Sequence, residues 1–180
     1  MSVGTIVTIV LLMSVLVLGL FLVQRVFSSG TSAIDSIDTQ VQNEIQKLFS
    51  DQGVSLAIYP NSREITLKAG DTPKGFAFSI RNNDVESHKY KYSVFAQEGF
   101  DYSSRCGSTM TRERADSFIL LSEGTINLGP GGTLDIPELV RFSIPEVAPP
   151  CTMPYKLEIS YDDPNNRGPF QAATVYVTIK

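Results

Sequence analysis

The chain has 180 residues, a net charge of −4 and a single histidine. That length accommodates one ordinary domain plus a separate segment. The mild acidity, with no basic patch or stripe, argues against a nucleic-acid surface, and no polybasic cluster offers itself to anionic lipid.

The first element is a run without charge over residues 3–23, VGTIVTIVLLMSVLVLGLFLV. At about 1.5 Å per helical residue it matches the roughly 30 Å of a bilayer core. It is longer than a signal-peptide apolar region and lacks a basic flank, which predicts a retained helix. Arg25 and then Ser28, Ser29 and Gly30 follow, a natural place for a kink. Ile34, Ile37, Val41, Ile45 and Leu48 recur at helical spacing and give one apolar stripe, stopped by Gly53. If the two pieces are continuous, residues 1–53 form one helix about 75 Å long. The stripe then packs either on the chain's own head or on copies of itself.

From residue 54 the pattern changes to strands. Alternation is clear at Ile65 and Leu67, at Phe76, Phe78 and Ile80, and at Tyr90, Tyr92 and Val94. It returns at Val140, Phe142 and Ile144, at Tyr155, Leu157, Ile159 and Tyr161, and at Val175, Val177 and Ile179. Period two gives each strand one buried face. Gly, Pro, Asn and Asp clusters separate the strands. The expected fold is α+β in sum: a long N-terminal hydrophobic helix over residues 1–53, then an antiparallel immunoglobulin-like sandwich over residues 54–180. Phe76, Phe78, Ile80, Val140, Phe142, Ile144, Leu157, Ile159, Val175 and Val177 are its expected core. Residues 98–124 read as an irregular insertion, with a helical turn possible over residues 111–116. Cys106 and Cys151 point to one disulfide in an oxidising compartment, tying this insertion to the strand near Cys151. Two buried free thiols are the other reading. Closing a loop of about 45 residues stabilises by roughly 4 kcal/mol in the chain-entropy account.

No catalytic constellation is visible, so no catalytic, cofactor-binding or metal residue is assigned. His88 reads as a surface residue, and one His with two bridged Cys does not make a zinc site. Asp162, Asp163, Asn165 and Asn166 suit a hairpin turn, with calcium as the sharper alternative. Arg112 to Asp116 reads as a solvated face of mixed charge. No Asn-x-Ser/Thr acceptor for glycosylation is present.

Two stretches carry resemblances. ITLKAGDTPKGFAFSIRNN and INLGPGGTLDIPELVRFSIPEVAPPCTMPYKLEISY resemble immunoglobulin-like modules of prokaryotic surface proteins, which implies the sandwich and little about function. Ser2-Val3-Gly4-Thr5-Ile6-Val7, followed by an apolar helix and a β head, is similar to mature archaeal type IV pilins and archaellins. That resemblance implies a structural filament subunit at the cell surface, helices in the core and heads outside, held in the membrane before assembly. Its partners would be copies of itself, through Gly4, Thr8, Ser14 and Gly19, where small or hydroxyl residues let helices approach, and through Ile34, Ile37, Val41, Ile45 and Leu48. Arg25 lies on the C-terminal side of the run, against the usual bias of positive flanks, and a basic leader removed before Met1 reconciles this. The alternative is a single-span envelope protein with the head outside, comparable to the archaellar stator and not polymerised. A third class, an enzyme or small-molecule binder, finds no support in the residues.

Overall fold

The computed structural model describes residues 3–28, 34, 36–163 and 168–180. It forms two compact units, Met1–Ser32 and Ala33–Lys180. Helix α1 (Val3–Ser28) belongs to the first and has no acidic residue in its first turn. The second unit, the head, holds α2 (Thr39–Gln52) and eight strands with two short helices between them.

The strands are β1 (Leu56–Tyr59), β2 (Glu64–Leu67), β3 (Lys74–Ile80), β4 (His88–Ala96), β5 (Glu123–Leu128), β6 (Glu138–Phe142), β7 (Cys151–Tyr161) and β8 (Pro169–Ile179). They form a three-stranded sheet in the order β1-β3-β6 and a five-stranded sheet in the order β2-β8-β7-β4-β5. The two layers make an immunoglobulin-like β-sandwich. All ten expected core positions are at most 4% exposed. Alternation placed them correctly because each strand turns one face to the opposite sheet.

Three expectations are corrected. The molecule is mostly β with short helices in the head, so it is not α+β in sum. The sandwich is not wholly antiparallel, because β2 pairs with β8 in parallel. The long apolar helix over residues 1–53 is not observed. The helix that starts the chain stops at Ser28, and among the described residues no helix is long and apolar enough to cross a membrane. The expected kink at Gly30 lies outside the described residues.

Helix α2 is a separate, amphipathic element of the head. Asp38 caps it by accepting the Val41 amide at 2.9 Å, and Gly53 ends it with φ of 60°, a left-handed conformation that suits glycine. Val41, Ile45 and Phe49 bury 97–98% of their surface against Ala57 of β1 and Ala77 of β3. Those two alanines give the outer face of the small sheet room for a helix. Strand β3 is therefore buried on both sides: Phe76, Phe78 and Ile80 enter the sandwich while Ala77 meets α2.

The head has two distinguishable ends. At one, Ile34 exchanges both backbone hydrogen bonds with Gly75 at the start of β3, at 3.0 and 2.7 Å. Strands β1 and β6 also reach this end, with Tyr59 opposite Ala77 and Lys74 opposite Phe142. At the other end β4 begins, with His88 opposite Leu128 and Tyr90 opposite Tyr161.

Candidate functional site: the loop end of the sandwich

The residues connecting β3 to β4 are organised by one buried amide. Asn82 is fully buried, and its Nδ2 donates to the carbonyls of Glu86 at 2.7 Å and Gly129 at 2.9 Å. Its Oδ1 accepts the Asp84 amide at 3.0 Å, and its own N–H donates to Gly132. One side chain thus sets the β3–β4 connection against the β5–β6 connection. Gly131, at φ of 63°, donates to the Asp84 carbonyl and completes the joint.

His88, the first residue of β4, makes a second joint. Its side chain is only 9% exposed, which corrects the surface reading. Nδ1 lies 2.7 Å from Asp163 Oδ2 and Nε2 lies 3.2 Å from Asp84 Oδ2. Asp163 also accepts the Lys89 amide at 3.0 Å, and Lys89 Nζ pairs with Asp162 at 2.9 Å. The hydrogen bonds to Asp163 and then Asp84 hold the imidazole pKa above its ordinary value. The Asp163 carboxyl is held below the usual range, first by the Lys89 N–H and then by His88. Asp84 is lowered first by its hydrogen bond to His88.

An aromatic cluster backs this joint. The His88 ring lies edge-on to Tyr161 at 5.1 Å, and Tyr90 meets Phe170 at 4.8 Å and Tyr161 at 5.2 Å. Burial pushes the Tyr90 phenol up to about 12. Its hydroxyl is buried without a hydrogen-bond partner among the described residues.

Of the four residues weighed for calcium, Asp162 and Asp163 are described. Asp163 is engaged by His88 and Lys89, and Asn165 and Asn166 lie outside the described residues. Among the described residues no group of three or more His, Cys, Asp or Glu is arranged to hold a metal. A cleft of about 280 Å³ separates α2 from the β5–β6 connection. On its wall Arg81, just after β3, stacks over Phe49 at 5.2 Å and donates from Nε to Thr133 Oγ1 at 3.2 Å, linking α2 to the β5–β6 connection.

The expected self-association residues divide between the two units. In α1, Thr8 Oγ1 donates to the Gly4 carbonyl at 2.7 Å and Ser14 Oγ to the Val10 carbonyl at 2.8 Å. Gly19 has open space where a Cβ would stand. The stripe residues are occupied within the head: Val41 and Ile45 are buried, and Ile34, Ile37 and Leu48 pack partly buried on the same cluster.

The disulfide is present. Cys106 and Cys151 are joined with Cα atoms 5.1 Å apart, tying α3 (Tyr102–Cys106) to the start of β7. Arg112 to Asp116 form α4, capped by Thr111. It is less solvated than its charges suggest, because Ala115 is buried and its carbonyl accepts the Tyr155 hydroxyl at 2.9 Å.

No protein-family model matches the chain, and no curated protein matches it. Among solved structures it is similar to WR4, a C. elegans MSP family member, at 7% identity and a TM-score of 0.42, over 70% of this chain and 98% of that one. It is similar also to PapD-like domain 7 of human CEP192, at 15% identity and a TM-score of 0.40, over 70% of this chain and 84% of that one. A family 123 glycoside hydrolase from Clostridium perfringens is similar at 12% identity and a TM-score of 0.38, over 76% of this chain and 25% of the hydrolase. These likenesses are of shape only.

Proposed function

We propose that the chain is a structural subunit of a surface filament of the type IV pilus or archaellum kind, with its apolar N-terminal unit buried among copies of itself and its β-sandwich head outside. One observation carries this reading. Val7, Val10, Leu11, Leu12, Met13 and residues 15–18 of α1 are each 52–67% exposed. Consecutive residues such as 10–13 point to different sides of a helix, so the apolar surface is not a single stripe. The Thr8 and Ser14 hydroxyls are satisfied by carbonyls of the same helix, so neither needs a partner from a neighbour. Burying an aliphatic side chain is worth roughly 1.5–3 kcal/mol, so covering half of these would contribute on the order of 10 kcal/mol per subunit. The head meanwhile has its own core and its own amphipathic helix.

The test is electron microscopy of sheared surface material with an antibody to the head. Label along thin filaments, lost in a Leu11→Asp variant whose head still folds, is the expected result. Label confined to the membrane in both forms would overturn the filament reading and favour an anchored envelope protein.

A further inference from the structure

The joint at the loop end contains a chemical requirement that the static contacts make plain. A neutral imidazole carries one N–H, so one of its nitrogens must present a lone pair. Both His88 nitrogens face carboxylate oxygens, at 2.7 and 3.2 Å. Only the imidazolium donates in both directions; in the neutral ring one contact sets a lone pair against a carboxylate. The two carboxylates sit on different connections, Asp84 after β3 and Asp163 after β7. The ring is therefore the part through which these connections hold each other.

We propose that His88 is a pH-sensitive latch: as imidazolium it clasps the β3–β4 connection to the residues after β7, and on losing a proton it releases one of them and loosens that end of the sandwich. The surrounding charges are consistent with this. From the β3–β4 connection Asp84 faces the ring, with Glu86 on the same segment. From β4 come Lys89, itself paired with Asp162, and Tyr90, whose phenol stays neutral until far above the relevant range. From the end of β7 come Tyr161, Asp162 and Asp163. From β8 the cluster receives the Phe170 ring, which does not titrate. The net surrounding is acidic, which favours the protonated ring.

The sign follows from linkage. The raised imidazole contributes stability that is fully present below its unfolded value near 6.5 and is lost as pH rises through the folded value. The lowered carboxylates contribute stability present above their unfolded values near 3.8 and lost as pH falls through their folded ones. The latch is closed between those limits. The neutral ring keeps its single N–H on the nearer carboxylate, Asp163, so release frees Asp84 and with it loosens the Gly131 amide that the Asp84 carbonyl holds. This inference rests on the head alone and does not depend on the filament reading.

The experiment exploits His88 being the chain's single histidine, so that one imidazole resonance reports it in the full chain held in mild detergent. The expected midpoint lies above the ordinary imidazole value near 6.5, and Asp163→Asn lowers it more than Asp84→Asn does. Amide exchange gives an independent readout. The ratio of Gly131 to Gln97 exchange, the former amide held by the Asp84 carbonyl and the latter at the opposite end by the Pro154 carbonyl, should rise several-fold across the titration. In His88→Gln the ratio should be high and independent of pH. A midpoint at or below the ordinary value would overturn the proposal, as would a Gly131-to-Gln97 ratio flat with pH in the wild type. Both readouts use the wild type, so they hold even where a variant fails to fold.

Discussion

Replacing Ile45 by Ala separates the two uses that the stripe from Ile34 to Leu48 could have. Ile45 is 2% exposed and sits in a small cluster with Val41, Phe49, Ala57 and Ala77. Truncating a buried Ile to Ala costs about 2–5 kcal/mol, depending on how far the surroundings close over the gap. Here one wall of the gap is a two-alanine platform that cannot move without shifting β1 and β3, and the other is a helix that can settle inward. A value near the lower half, about 2–3 kcal/mol, is expected. For a unit of this size 1 kcal/mol moves the midpoint by about 2–4 °C, so the head should melt roughly 5–10 °C lower. The neighbouring Glu44, exposed on the other face, supplies the control: Glu44→Ala should stay within about 0.5 kcal/mol. Thermal unfolding of the full chain by circular dichroism, with amide exchange along α2, measures both. An Ile45→Ala chain with an unchanged midpoint and impaired assembly would refute the reasoning, for α2 would then face another copy instead of its own sheet.

Gly75→Ala should disrupt the head far more than its single methyl suggests. A Cβ there would enter the Val140 carbonyl and lie 2.7 Å from the Val140 carbonyl carbon and 3.0 Å from Arg141 Cα, all backbone of β6. The midpoint should fall by more than 10 °C, and the Ile34 amide should lose its exchange protection. Removing the disulfide in a Cys106→Ser, Cys151→Ser chain should lower stability by about 3–4 kcal/mol in denaturant titrations, since the bridge closes a separation of 45 residues.

The parts of this fold that were legible in the sequence are those in which a residue's role depends on its own strand. Phe76, Phe78 and Ile80 alternate because one face of β3 looks into the sandwich, and nothing further is needed to call them core. The parts that were not legible depend on a second segment far away. β5 is an edge strand in which only Ile126 and Leu128 are buried, so its pattern is too thin to stand out from the insertion before it. The parallel pairing of β2 with β8 joins residues more than a hundred positions apart and leaves no local mark. The stripe on α2 was read correctly as apolar, but its partner was ambiguous until Ala57 and Ala77 were seen beneath it. At the loop end, Asp84 stands four residues before His88, a spacing that by itself does not mark the two as a pair. Asp163, 75 residues on, could not be seen, and it is the partner that turns a surface histidine into a clasp.

The pairing of Ile34 with Gly75 has a mechanical consequence. Tension arriving along the chain from its N-terminal side meets these two hydrogen bonds first, then the capped start of α2, and only afterwards β1 and the sheets. Helix α2 lies on the outside of the small sheet and is held by one compact cluster, so it is the section that yields before the sandwich does. Once peeled away, residues 34–53 would pay out a tether of up to about 70 Å at full extension while the eight strands stay folded. The head would then remain intact at the end of a lengthened leash, and it would re-dock its helix when the pull ceased.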